Sequence, residues 1–204
     1  MPSLALLARA APRYNLATGG VITEYTVGGK RWRLHSFEWA GSFNFVVLNA
    51  VKPFRMAYVG AGGGGGGQTD PYCGGGGDGG FGGDVTGIIL TPATYPIVVG
   101  NGGTGDGGAS SALGYTGPGG AVGFDGNYSN GGPGANHGVV SNIRNGVSDE
   151  WFGLGGGTVN GEPSPTPYPG HGASGAYPSG GFGGSSGRNG SGPGGVWIAY
   201  EIDG

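Results

Sequence analysis

The sequence is poor in the side chains that most binding and catalysis require. Of 204 residues only nine are Lys or Arg and twelve are Asp or Glu, a formal charge of −3 with the three His counted neutral. Such a chain has no basic field to hold a phosphate backbone, so nucleic acid is not expected as a partner. Cys73 is the single cysteine, and no intrachain disulfide can form. Apolar runs are short: none approaches the roughly 18 residues of a helical span, so no membrane insertion is expected. The opening Met1-Pro-Ser-Leu-Ala-Leu-Leu-Ala-Arg-Ala-Ala-Pro12 is apolar but has no positive charge ahead of its apolar part, which makes it a poor secretion signal. Residues 1–18 read instead as a docking arm, a brief helix or extended segment that binds another protein, or else as a disordered start.

Catalytic and metal-binding constellations are missing too. His35 falls in a strand pattern, while His137 and His171 sit in glycine-rich stretches with no carboxylate or cysteine at ligand spacing. Gly79-Gly-Phe-Gly-Gly-Asp-Val-Thr86 partly matches a calcium-binding nonapeptide, but that motif works in tandem and needs a large apolar residue where Thr86 stands. Phosphate-loop patterns are matched trivially in a chain this rich in glycine. No paired carboxylates stand outside the glycine-rich part. No enzyme activity, metal or other cofactor is expected.

What is abundant is glycine, 56 residues, with 14 Pro. That much of both, without a period, normally signals disorder. A period is present. From Gly102 to Gly138 the frame stepping by three from Gly102 holds ten Gly in thirteen positions, and the other two frames hold five in twenty-four. A second run, in another frame, holds Gly172, Gly175, Gly181, Gly184, Gly187 and Gly190; Gly74, Gly77, Gly80 and Gly83 form a third. Three residues per turn is the period of the polyproline II helix, which has no internal hydrogen bonds. Its outward-pointing donors and acceptors must be met by neighbours, so such helices are stable only side by side, with glycine on the facing edges. Collagen uses this period, but the repeats here are short, shift frame and lack regular proline. A disordered glycine-rich tail is the competing reading, because ordering glycine is costly in entropy. In the lattice reading Gly114, Gly117, Gly120, Gly123 and Gly126, with Gly181, Gly184, Gly187 and Gly190, face neighbouring helices. Gly119, out of frame, is expected to face a gap or solvent.

The remainder reads as strands. Val21-Ile-Thr-Glu-Tyr-Thr-Val27 and Lys30-Arg-Trp-Arg-Leu-His-Ser-Phe-Glu-Trp39 flank Gly28-Gly29, a two-residue hairpin signal. Phe43–Leu48, Phe54–Val59, Val85–Leu90 and Tyr95–Val99 continue the series, and Val196–Ile202 closes it far along the chain. The last strand is expected beside the earlier ones. The fold class is therefore all-β: an antiparallel β-sandwich over 19–100 and 195–204, with glycine-rich excursions over 60–84 and 101–194.

The segments "GGVITEYTVGGKRWRLHSFEWAGSF", "FRMAYVGAGGGGGGQ", "TGIILTPATYPIVVGNGGTGDGGASSALG" and "GPGGVWIAYEI" resemble, in that order, the glycine-rich domain of bacteriophage minor tail and tail-fibre proteins. The resemblance covers roughly 19–203. It implies a virion component at the tail tip or fibre, a jelly-roll or tumour-necrosis-factor-like sandwich joined to packed polyglycine II helices, and other tail proteins as partners. It further implies a homo-oligomer, trimeric by preference, and contact with a host-surface glycan or protein.

Aromatics in the glycine-rich part are Tyr72, Phe81, Tyr115, Phe124, Tyr128, Trp151, Phe152, Tyr168, Tyr177 and Phe182. They read either as caps over the ends of the lattice or as exposed stacking residues on loops. The period fails at Asn145–Tyr177, which makes Trp151, Phe152, Tyr168, His171 and Tyr177 the candidate receptor contacts. The competing function class is a freestanding lattice protein, ice-binding or extracellular, although Thr is sparse in the repeat windows.

Overall fold

The computed structural model describes residues 13–63, 77–123, 135, 137–153 and 191–203. Every regular element within them is a strand. The clearest sequence signal forms as expected: β2 (Val21–Val27) and β3 (Lys30–Phe37) pair in register from Val27↔Lys30 to Val21↔Ser36. Their turn has φ of +58° at Gly28 and +76° at Gly29, the left-handed pair that matches the twist of a two-residue hairpin.

The strands β4 (Gly41–Asn49), β5 (Phe54–Val59), β7 (Ala93–Val99) and β12 (Gly195–Glu201) cover most of the runs expected for them, whereas β6 (Gly82–Ile88) starts three residues before Val85 and stops two before Leu90. Five strands of three residues each were not legible: β1 (Leu16–Thr18), β8 (Ser110–Ala112), β9 (Tyr115–Gly117), β10 (Val139–Ser141) and β11 (Glu150–Phe152). One antiparallel sheet runs β1-β4-β7-β8-β9 and the other β2-β3-β12-β5-β6, with β10-β11 a separate hairpin. The main core lies between the sheets. Phe45, Val47, Ile97 and Ala112 from the first meet Phe37, Phe54, Ile198 and Tyr200 from the second, the arrangement of a β-sandwich.

β12, after every other strand in the chain, lies mid-sheet, paired with β3 on one side and β5 on the other. Six of its seven residues are buried. The reading of 1–18 as an arm is corrected at its end. Ala17 is buried in the core, and buried Asn15 accepts from the backbone N–H of Val51 and Lys52 while donating to Lys52 O. An arm can occupy at most residues ahead of Asn15, and 1–12 lie outside the described residues.

His35 is a core residue. It is fully buried between the sheets, with Nδ1 at 2.7 Å from Gly19 O and Nε2 at 3.2 Å from Tyr200 Oη. Tyr200 Oη also accepts from Ala17 N–H, so its own proton goes to Nε2 and the neutral Nδ1–H tautomer satisfies every group. Burial pushes the imidazole below its usual value, against a rise from the Gly19 contact. The unfolded chain therefore binds this proton more readily. Stability is full above about pH 6.5 and declines below it, by at most about 1.4 kcal/mol per pH unit for one group. Glu24 and Glu201 are lowered by hydrogen bonds from Arg33 and Arg31 and from Lys52 and Lys30, so their losses begin only near the ordinary carboxylate value of 4.5. Thermal melts between pH 7.5 and 5 should show a falling melting temperature in the parent and a flatter profile in His35→Gln. Equal slopes would assign the effect elsewhere.

Between β5 and β6, and beyond β9, the glycine-rich segments run extended and bond to one another. Gly60 N–H donates to Phe81 O and Gly63 N–H to Asp78 O, whereas Ala61 N–H reaches Gly108 O and Gly62 N–H reaches Gly192 O. Four consecutive donors thus point to three different segments, and the first and fourth to the same one. The step repeats next door, where Asp78 N–H meets Ala121 O and Phe81 N–H meets Pro118 O. A Cβ built on Gly63 would lie 1.8 Å from Ala121 O, and one on Gly120 would lie 2.2 Å from Asp78 O. Gly117 is equally close-packed, its Cβ position 2.4 Å from Phe81 O, and Gly123 is buried.

Two glycine expectations fail. Gly114 faces nothing within 4 Å and has φ of +86°. It serves the turn of the β8-β9 hairpin, after Leu113 at φ of +52°, and is no lattice position. Gly119 faces neither gap nor solvent: its Cβ would lie 1.8 Å from Gly107 O. Gly126, Gly181, Gly184, Gly187 and Gly190 lie outside the described residues.

Candidate functional site

The outward face of the β2-β3-β12-β5-β6 sheet is the only sheet face on which the described residues build a second layer. Leu34, Ala57, Val59, Trp197 and Ala199 point outward there and are covered by the β10-β11 hairpin through Ile143 and Phe152. Phe152 is fully buried, its ring centroid 4.4 Å from that of Trp197 and tilted 31° to it. Its assignment as a receptor contact is therefore corrected: a ring with no solvent exposure is a core residue. Trp151 precedes it in β11, its backbone opposite Val140. Tyr168, His171 and Tyr177 lie outside the described residues.

Arg55 anchors the hairpin to the sheet. Its Nε and Nη2 engage the two carboxylate oxygens of Asp84 at 3.0 and 2.5 Å, and Nη1 donates to Asn142 Oδ1 at 2.6 Å. Ser141 Oγ donates to the same carboxylate at 2.6 Å. Asp84, the acidic residue of the nonapeptide-like stretch, is thus occupied within strand β6 by Arg55 and Ser141. Among the described residues no three His, Cys, Asp or Glu come together in a way that could hold a metal, and no helix is long and apolar enough to cross a membrane.

The connection from β10 to β11 is closed by local hydrogen bonds. Asn142 O accepts from Gly146 N–H at 2.6 Å, and Asn145 Oδ1 accepts from Val147 and Ser148 N–H at 2.9 Å. This places Arg144 between Glu150 Oε2 at 3.1 Å and Glu38 Oε1 at 3.5 Å. Glu38 Oε1 also accepts from the indole N–H of Trp197 at 2.6 Å. Beside this carboxylate stands Trp39, at 65% exposure. Together they border a groove of 410 Å³ whose floor includes Val21 and Thr23 of β2 and Leu34 and Ser36 of β3. Sequence reading missed it. The expected strand runs to Trp39, whereas β3 ends at Phe37, and a Trp between a carboxylate and "AGS" is the available signal.

Two aromatics of the glycine-rich part, Phe81 and Tyr115, are partly exposed, at 42% and 37%, and each meets another ring. Phe81 stacks on His137 at 4.1 Å, and Tyr115 lies 6.0 Å from Tyr58. His137, without a carboxylate nearby in sequence, has Asp78 Oδ2 at 3.7 Å in space. No family model matches the chain, and no curated protein matches it.

Proposed function

We propose that the chain is a structural component of a bacteriophage tail, a minor tail protein of the tip or fibre, built as a jelly-roll-type sandwich carrying a polyglycine II lattice. The observation that carries this reading is the three-residue step of the backbone donors along Gly60–Gly63, which reach three separate segments. A helix with three residues per turn directs its donors in that way. The chain also hops between the sheets, with β1 in one, β2-β3 in the other, β4 back in the first and β5-β6 in the second, as jelly rolls do. A backbone lattice is stiff and nearly bare of side chains, which suits a spacer that must hold a shape outside the cell. Immunogold labelling of purified virions, with antibodies raised on the isolated chain, tests the assignment. Gold at the tail tip or fibre supports it, and unlabelled particles overturn it. Host contact falls to Trp151, Tyr168, His171 and Tyr177, and is tested by whether the isolated chain blocks adsorption.

A homo-oligomer belongs to the same reading. The strands of the β1-β4-β7-β8-β9 sheet carry no charged side chain, and its outer face exposes Leu48 and Val98. A face without charge meets its own copy with no like-charge repulsion, as closed symmetric assemblies require. Sedimentation equilibrium should show association, trimeric by preference, that Val98→Lys abolishes without lowering the melting temperature. A parent chain that stays monomeric refutes the self-association.

A further inference from the structure

We infer that the groove between Trp39 and Arg144 is a binding site for a neutral saccharide. Three observations converge. Trp39 is 65% exposed where it borders the groove, so its ring is open to a ligand, and large aromatics are the side chains enriched at binding hot spots. Glu38 is held before any ligand arrives, because one of its carboxylate oxygens takes both the Trp197 indole N–H and the Arg144 guanidinium. Its second oxygen has no partner among the described residues. The groove floor then offers the hydroxyls of Thr23 and Ser36 beside apolar Val21 and Leu34, and its 410 Å³ lies within the range of small-ligand clefts, about 300–1,000 Å³.

The class of ligand follows from the charge. Glu38 and Arg144 neutralise each other, Arg144 is further shared with Glu150, and Glu24, the other carboxylate on the groove's lining, is paired with Arg31 and Arg33. An anionic ligand would have to draw Arg144 from both carboxylates, and a cation at the spare Glu38 oxygen would lie against the Arg144 guanidinium and be repelled by it. A neutral polyol disturbs neither. Its hydroxyls donate to the spare Glu38 oxygen and accept from Thr23 or Ser36, and the apolar C–H face of a pyranose ring lies on the indole. Fixing the carboxylate in advance reduces what binding must spend on ordering it. This site is independent of the tail reading, since it rests on one face of the sandwich and the β10-β11 connection and on none of the lattice glycines.

The test is titration of the full chain with the methyl glycosides of glucose, galactose, mannose and N-acetylglucosamine, followed by the indole N–H resonances in NMR, that of Trp39 assigned with Trp39→Phe. Saturable movement of the Trp39 resonance by at least one glycoside, with Kd on the order of 1 mM, is the expected result. Trp39→Ala should weaken that binding at least tenfold with the melting temperature unchanged, and Trp39→Tyr should retain most of it. No saturable shift with any of the four overturns the inference. Binding that survives Trp39→Ala overturns it as well, by putting the saccharide elsewhere. Either failure leaves the virion labelling result untouched, so the two readings fail separately.

Discussion

Gly119→Ala is expected to lower the melting temperature by about 10 °C, while Gly105→Ala leaves it unchanged or raises it by a few degrees. A methyl group on Gly119 would sit 1.8 Å from Gly107 O, and one on Gly105 would meet nothing within 4 Å. The first must push two hydrogen-bonded segments apart, breaking contacts such as Gly107 N–H to Gly120 O and Gly120 N–H to Ala61 O. Overpacking of this kind costs about 3 kcal/mol, and in a chain of this size each kcal/mol moves the midpoint by about 2–4 °C. The second only reduces the freedom of the unfolded chain, a gain of about 0.4–1 kcal/mol where the backbone accepts a side chain. Gly120→Ala should match Gly119→Ala. If both variants melt like the parent, the segments are not packed as described and the region returns to a linker.

Phe152→Ala should be at least as damaging, for a different reason. Its ring is fully buried against Trp197 and seals the hairpin over the sheet. Removing a buried phenyl typically costs about 3–5 kcal/mol, so a fall of 10 °C or more is expected in calorimetry. The loss should be smaller in a Trp197→Ala background, because the two side chains share one contact and their effects do not add. A stable Phe152→Ala protein with normal melting would return the residue to the surface and restore it as a contact candidate.

How much of this was readable in advance depended on the source of each signal. Most of the seven long strands announce themselves as runs of β-branched and aromatic residues, such as Phe45-Val-Val-Leu48 and Ile97-Val-Val99, the composition that a pleated, half-buried surface favours. Strands of three residues leave no such trace. Ser110–Ala112 and Tyr115–Gly117 look like more glycine-rich sequence, and only their pairing distinguishes them. The three-residue glycine period gave a false account of which sides of these segments are crowded. A segment with neighbours all around has no idle frame, so Gly119 is as confined as Gly120, and Gly114 kept the frame only because a hairpin turn also wants glycine. Phe152 was misread because a break in the period was taken for an exposed loop. What breaks it is a hairpin, and a hairpin has a buried face.

The central position of β12 also has a consequence in time. Its neighbours β3 and β5 are complete by Val59, but the strand that joins them begins at Gly195. At about 5–20 residues per second a ribosome takes roughly 7–30 s to cover that interval. For that period the inner edges of β3 and β5 have nothing to pair with, and Phe37, Phe54 and Met56 wait beside a gap that only Val196, Ile198 and Tyr200 fill. Closure of so distant a contact is slow, and open apolar edges invite pairing with other chains. Yield on expression should therefore depend on whatever shields nascent chains, and a copy supplied without residues 195–201 should aggregate instead of folding into a smaller sandwich.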